Sequence, residues 1–179
     1  MLIDEFLPQY DLRSHHRVTV HAPIEQVYES VRRLDIAQTR LARWLFRLRG
    51  IPVSTTLSLD NLLEMRFILL GDNESKELLL GLVGRFWILS GKLQRLDAER
   101  FRTFTHQGYA KAVWNFSVTS LSDHSTLLET ETRVHCLDSV SRRRFRLYWL
   151  IIGVFSRLIR REILQTIKHR AERLQPFAA

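Results

Sequence analysis

From His15 to Ala22 apolar and polar positions alternate, with Val18 and Val20 on one side, and this period of two predicts a strand over 15–22. The period then changes. Val27, Tyr28, Val31 and Leu34 recur at helical spacing after Pro23. A proline in a first helical turn loses no needed hydrogen bond, and Glu25 suits the positive end of the helix dipole. A second helix is predicted over 37–49, with Leu41, Trp44, Leu45 and Leu48 on one side and Arg40, Arg43 and Arg47 on the other. Gly50 and Pro52 stop it.

The middle of the chain reads as mostly extended. Asp60 is expected to cap a short helical turn, and Met65 to Leu70 to form a strand. Gly71-Asp72-Asn73 is expected to turn into a partner strand from Lys76 to Val83. Arg85 to Leu89 continues that strand or starts another, and Asp97 to Phe101 begins a short helix. Two long strands follow, Tyr109 to Thr119 and Ser125 to Cys136. In the first, Ala110, Ala112, Trp114, Phe116 and Val118 share a face. In the second, Leu128, Thr130, Thr132 and Val134 oppose Glu129, Glu131 and Arg133. One long helix then runs from Ser139 or Val140 to Arg173. Its ends are amphipathic, but Leu147 to Phe155 is apolar all round and requires cover on every side.

Composition limits the classes. The 179 residues are 45% hydrophobic and 26% charged, with seven Gly and four Pro, which suits one compact domain over 1–179 with no linker. The lone Cys136 excludes an internal disulfide and a multi-cysteine zinc site. Acids at Asp4 and Glu5 stand where a secretory leader needs basic and apolar residues. The apolar run Leu147 to Phe155 is well short of the roughly 20 residues that cross a bilayer. The expectation is a soluble, cytoplasmic protein. Charge is uneven: residues 1–138 hold 17 basic and 17 acidic residues, while 139–179 hold 10 basic and two acidic ones.

The stretch Val18-Thr19-Val20-His21-Ala22-Pro23-Ile24-Glu25-Gln26-Val27-Tyr28 resembles the first strand and the Ala-Pro-x-x-x-Val-aromatic helix start of the START, birch-pollen-allergen and polyketide-cyclase superfamily, called SRPBCC. The ending, Leu127 to Val134 followed by the long helix, resembles it too. The arginine content of that helix departs from a typical member. The resemblance implies an α+β helix-grip fold: a curved antiparallel sheet wrapped around the long C-terminal helix, with two short helices after the first strand. It also implies a cavity between sheet and helix, which in this superfamily holds lipids, sterols, polyketides or other apolar molecules. In that fold Met65, Phe67, Leu69, Leu79, Gly81, Val83, Trp114, Phe116 and Thr130 would face the cavity from strands. Phe145, Trp149 and Ile152 would face it from the helix.

Catalytic signatures are sparse. There is no Gly-x-Ser-x-Gly elbow, P-loop, Gly-x-Gly-x-x-Gly or His-Glu-x-x-His. His15 and His21 share a strand face but are too far apart to hold an ion alone, and no acidic neighbour is expected beside them. Cys136 reads as an inert buried thiol. The polar candidates are His106, Tyr109, Asn115, Glu129, Glu131 and Arg133. Alternation with Leu128 and Val134 favours an outside face for Glu129, Glu131 and Arg133, as a solvated ladder of ion pairs; on an inside face a Glu–Arg pair would orient a substrate or act as acid and base. No catalytic residue, metal or cofactor is assigned.

Three readings follow. The first is a module that binds or carries a hydrophobic small molecule. The second is a cyclase or dehydratase that uses polar groups in the same cavity. The third is a homodimer with a filled core. The basic helices over 37–49 and 139–173 also suit contact with an anionic membrane. Nucleic acid is disfavoured, because no recognised module accompanies the charge.

Overall fold

The computed structural model describes residues 1–33, 59–73 and 76–173. The helix predicted over 37–49 and the position Leu34 lie outside these residues. A short helix α1 (Leu2–Phe6) comes first, followed by strand β1 (Leu12–Val20) and helix α2 (Ile24–Arg32). Next come α3 (Leu59–Glu64), β2 (Ile68–Asn73), β3 (Glu77–Gly84) and α4 (Ala98–Thr103). The chain then forms β4 (Ala110–Ser122), β5 (Ser125–Cys136) and the 35-residue helix α5 (Ser139–Arg173).

The five strands make one curved antiparallel sheet in the order β1-β5-β4-β3-β2. This is the α+β architecture, an antiparallel sheet with a long C-terminal helix, that the resemblance implies. The register runs in rows: Leu80, Trp114, Thr132 and Ser14 lie side by side, as do Leu79, Asn115, Glu131 and His15. Because side chains alternate across a strand, the first row faces α5 and the second faces away. Every other row follows its neighbours.

α5 lies along the first face. Ile163, Leu164, Ile167 and Ala171 in its second half pack with Val20, Leu128, Phe116 and Leu78 of the sheet and with Val27, Tyr28 and Val31 of α2. Its start is fixed by Asp138, whose carboxylate accepts from the Ser141 N–H at 2.8 Å, the Ser141 hydroxyl at 2.5 Å and the Gly108 N–H at 2.6 Å. Those bonds, the Ser141 hydroxyl above all, hold the Asp138 carboxyl down at about 2. The cap ties the first turn of α5 to the loop that enters β4.

The opposite face is covered as well. Ile3, Phe6 and Leu7 of the N-terminal segment and Phe101 of α4 pack against Leu79, Val83 and Val113. Glu77 accepts from the Leu2 N–H at 2.7 Å, supplying the acceptor that the first turn of α1 needs.

Several local expectations shift. Gly71, Asp72 and Asn73 continue β2 rather than turning, with a bulge between Leu69 and Gly71. Asp60 falls inside α3 rather than before it. Arg85 to Leu89 forms turns and not a strand. α1, with five residues, shows no period that a pattern reading could use.

Candidate functional site

Between residues 145–163 of α5 and strands β3, β4 and β5 lies a cavity of about 270 Å³. Its size is just below the usual range of small-ligand pockets, about 300–1,000 Å³. Phe86, Trp114, Phe145, Tyr148 and Trp149 form an aromatic wall, and Leu62, Leu80, Leu82, Ile152, Ile159 and Ile163 add aliphatic surface. The Phe145 and Trp149 rings stack with centroids 5.7 Å apart, and Phe86 meets Phe145 edge-on at 6.3 Å. Gly153 makes that wall possible, because a Cβ there would come within 2.8 Å of the Trp149 indole nitrogen. The indole therefore lies flat along its own helix.

One end of the cavity is polar. Arg160 donates from Nε and Nη2 to the Thr132 hydroxyl, at 2.9 and 2.6 Å. Its Nη1 donates to the Ser156 carbonyl at 3.1 Å and to the Ser156 hydroxyl. Its guanidinium carbon lies 5.8 Å from the centre of the Trp114 ring. Burial pushes the Arg160 pKa down to about 10, because a cation is disfavoured where water is scarce.

Of the residues expected at the cavity, Phe67, Gly81, Trp114, Phe145, Trp149 and Ile152 line it. Gly81 contributes backbone, since a Cβ there would point away, into Leu70 and Phe101. Met65 and Phe116 sit in the adjoining core, Phe116 with its ring 4.9 Å from that of Trp114. Thr130 is buried beside them; its hydroxyl accepts from the Trp114 indole N–H and donates to the Asn115 carbonyl, both at 2.7 Å. Leu69 is exposed. Leu79 and Val83 correct the expectation that they face inward, for they lie on the far face under α1 and α4. β3 is buried on both sides, so neither parity of its apolar run marks the cavity.

The polar candidates lie elsewhere. Glu129, Glu131 and Arg133 do point away from the cavity, but the solvated ladder is corrected in part. Glu131 and Arg133 are each only 7% exposed, because α1 and Leu7 cover them. Glu131 accepts from Arg13 Nε and Nη2, both at 2.8 Å, and from Arg133 Nε at 2.6 Å, and Arg133 reaches Asp4 at 2.8 Å. Asn115 joins the layer, donating to Glu77 at 2.7 Å and accepting from the Glu131 N–H at 2.8 Å. His15 does have an acidic neighbour, Glu129 at 3.0 Å, which corrects the expectation of none. His106 is exposed beside the Phe104 ring, and Tyr109 lies under the Arg85 guanidinium. Burial raises the Cys136 thiol to about 12, leaving it protonated and unreactive at neutral pH. Among the described residues, no three His, Cys, Asp or Glu side chains converge to hold a metal ion.

Comparison with known proteins gives structural likeness only. No family model and no curated protein matches the chain. Among solved structures, the Zhui aromatase/cyclase from Streptomyces sp. R1128 is 15% identical with a TM-score of 0.34, over 94% of this chain and 98% of that one. A conserved protein from Geobacillus kaustophilus is 9% identical with a TM-score of 0.44, over 90% and 96%. A protein from Thermus thermophilus is 10% identical with a TM-score of 0.37, over 92% and 100%.

Pattern reading missed several lining residues, among them Leu80, Leu82, Phe86, Tyr148 and Ser156, and Arg160 is the charged one. A signal was present: Phe145, Trp149, Ile152, Ser156, Arg160 and Ile163 follow one another at spacings of three and four along α5. An arginine in a basic helix reads as solvated unless that stripe is followed through it.

Proposed function

We propose that this chain, as a single domain in the cytoplasm, binds a hydrophobic small molecule in the cavity between α5 and the sheet. The observation that carries the reading is the cavity itself, walled by aromatic and aliphatic side chains and polar only at one end. Removing an apolar molecule from water against such a wall is favourable by about 25 cal/mol per Å² buried. Native mass spectrometry of the freshly purified protein, compared with its denatured mass, tests the proposal. Extra mass that leaves on denaturation is the expected result. Ile152→Trp, which fills the cavity from α5, is expected to lose that mass at a cost of about 1–3 kcal/mol in stability. Unchanged ligand content in that variant would place the ligand elsewhere. Recovery of the ligand in altered form after incubation would favour the cyclase or dehydratase reading of the same cavity.

A second surface favours a membrane partner. Leu147, Leu150, Ile151, Val154 and Leu158 form one stripe along α5, with Leu150 75% and Ile151 68% exposed. Exposed Arg143, Arg144, Arg146, Arg157 and Arg161 flank it, and no acid occurs between Ser139 and Arg161. Apolar insertion edged by cations suits an anionic lipid surface. Among the described residues no helix is long and apolar enough to cross a membrane, so the contact is a surface one. The protein is expected to sediment with vesicles of phosphatidylserine and phosphatidylcholine, and Leu150→Glu combined with Ile151→Glu to abolish this. Protein that stays in the supernatant overturns membrane docking, and a solution mass of two chains assigns the stripe to a homodimer instead.

A further inference from the structure

We infer that the molecule held in the cavity carries an anionic group, a carboxylate being the simplest, and that Arg160 receives it with the help of the Thr132 and Ser156 hydroxyls. This deepens the cavity-binding reading and rests on it.

The argument starts from charge. Arg13 and Arg133 on the far face, and Arg32, Arg33, Arg100 and Arg142 elsewhere, each have a carboxylate within 4.0 Å. Arg160, at the end of an apolar cavity, has none among the described residues; its partners are two hydroxyls, a carbonyl and a ring. A half-buried cation without a counter-charge is costly to hold out of water.

Geometry gives the charge a direction. A guanidinium has five N–H donors, and the four contacts to Thr132 and Ser156 leave at least one on Nη2 for another acceptor. Both hydroxyls already accept from Arg160, so each can turn its own hydrogen toward the same acceptor. Thr132, Ser156 and Arg160 all line the cavity, so an acceptor bound at this end has up to three donors within its reach, the kind of group set that recognises a carboxylate. The surroundings are electropositive as well. His16 is held below its ordinary value by burial and then by the charges of Arg160, Arg161 and Arg157. The ligand class is thus an anionic amphiphile, its head at Arg160 and its tail along Trp149, Phe145 and Phe86.

Octanoate and octan-1-ol share a tail and differ in charge, so calorimetric titration of each into the intact protein separates the two parts of the argument. Octanoate is expected to bind about tenfold to a hundredfold more tightly than octan-1-ol. Arg160→Met is expected to bind the two equally, and Arg160→Lys to keep part of the preference. Equal affinities in the unaltered protein overturn the anion site and leave the apolar cavity standing. A preference that persists in Arg160→Met overturns Arg160 as the receiving group. Binding of neither probe removes the cavity reading, and this inference with it. Should Arg160→Met fail to fold, the comparison in the unaltered protein and in Arg160→Lys still decides.

Discussion

Glu131→Ala is expected to cost about 3 kcal/mol of stability at pH 7, although the residue takes no part in the cavity. Its carboxylate is the shared acceptor for Arg13 and Arg133 beneath the N-terminal segment. Without it, Arg133 remains covered, with Asp4, a half-exposed carboxylate, as its nearest opposite charge. Stranding a buried cation in this way typically costs about 3–5 kcal/mol, and the lower figure fits because Arg13 and Asp4 remain wet. The effect has a defined pH dependence. Burial works against the Glu131 charge, but the hydrogen bonds and charges of Arg13 and Arg133 outweigh it and hold the carboxyl below its ordinary 4.5. As pH falls, the unfolded chain therefore takes up a proton first, so the stabilisation is complete above about 4.5 and is lost as pH drops through the folded value. Urea titrations should show a wide gap between the two proteins at pH 7 that narrows in acid. Coincident curves at pH 7 would sink the claim.

Phe101→Ala is expected to be larger still, about 4 kcal/mol and a fall in Tm of roughly 10 °C. Phe101 is fully buried in α4, its ring 6.4 Å from that of Phe6 and close against Gly81, with the Lys111 ammonium 4.8 Å from its centre. The cavity lies on the other side of β3. Surviving folded Phe101→Ala should therefore bind the ligand of the intact protein with unchanged affinity, while its thermal transition by circular dichroism moves sharply. A shift of only a few degrees would mean that the far face is not a second core. A matching loss of ligand would mean that the two faces are not separate.

How far the pattern of residues revealed this architecture depended on whether a face was left wet. β1, with its outward Arg13, His15 and Arg17, and α5 with its two amphipathic ends, carry a clear period because one side of each meets water. β3 carries none: Leu78, Leu79 and Leu80 are all buried, under different layers, and only the fold distinguishes Leu80 in the cavity from Leu79 outside it. The same blindness applied to Glu131 and Arg133. Alternation placed them correctly on the outer face, but could not show that α1 closes over that face. Trp149 and Ile152 were accessible as apolar positions on the long helix. Arg160 was not, because an arginine announces water unless its neighbours at three and four residues are weighed with it.

The order of strands also governs how the chain reaches this state. β4 and β5 follow one another through the short Asp123-His124 turn, and their pairing closes almost no loop. β1 has no such neighbour, for Leu12 must find Val134 from the other end of the chain before the sheet has its last strand. Closing so long a loop is slow even though its extra entropy grows only logarithmically with length. Sequence separation accordingly favours early pairing of the C-terminal hairpin and late docking of the N-terminal strand and segment, which Glu131 and Glu77 fasten onto the sheet. On a ribosome, which releases β1 first, that strand has no sheet partner until β5 has emerged.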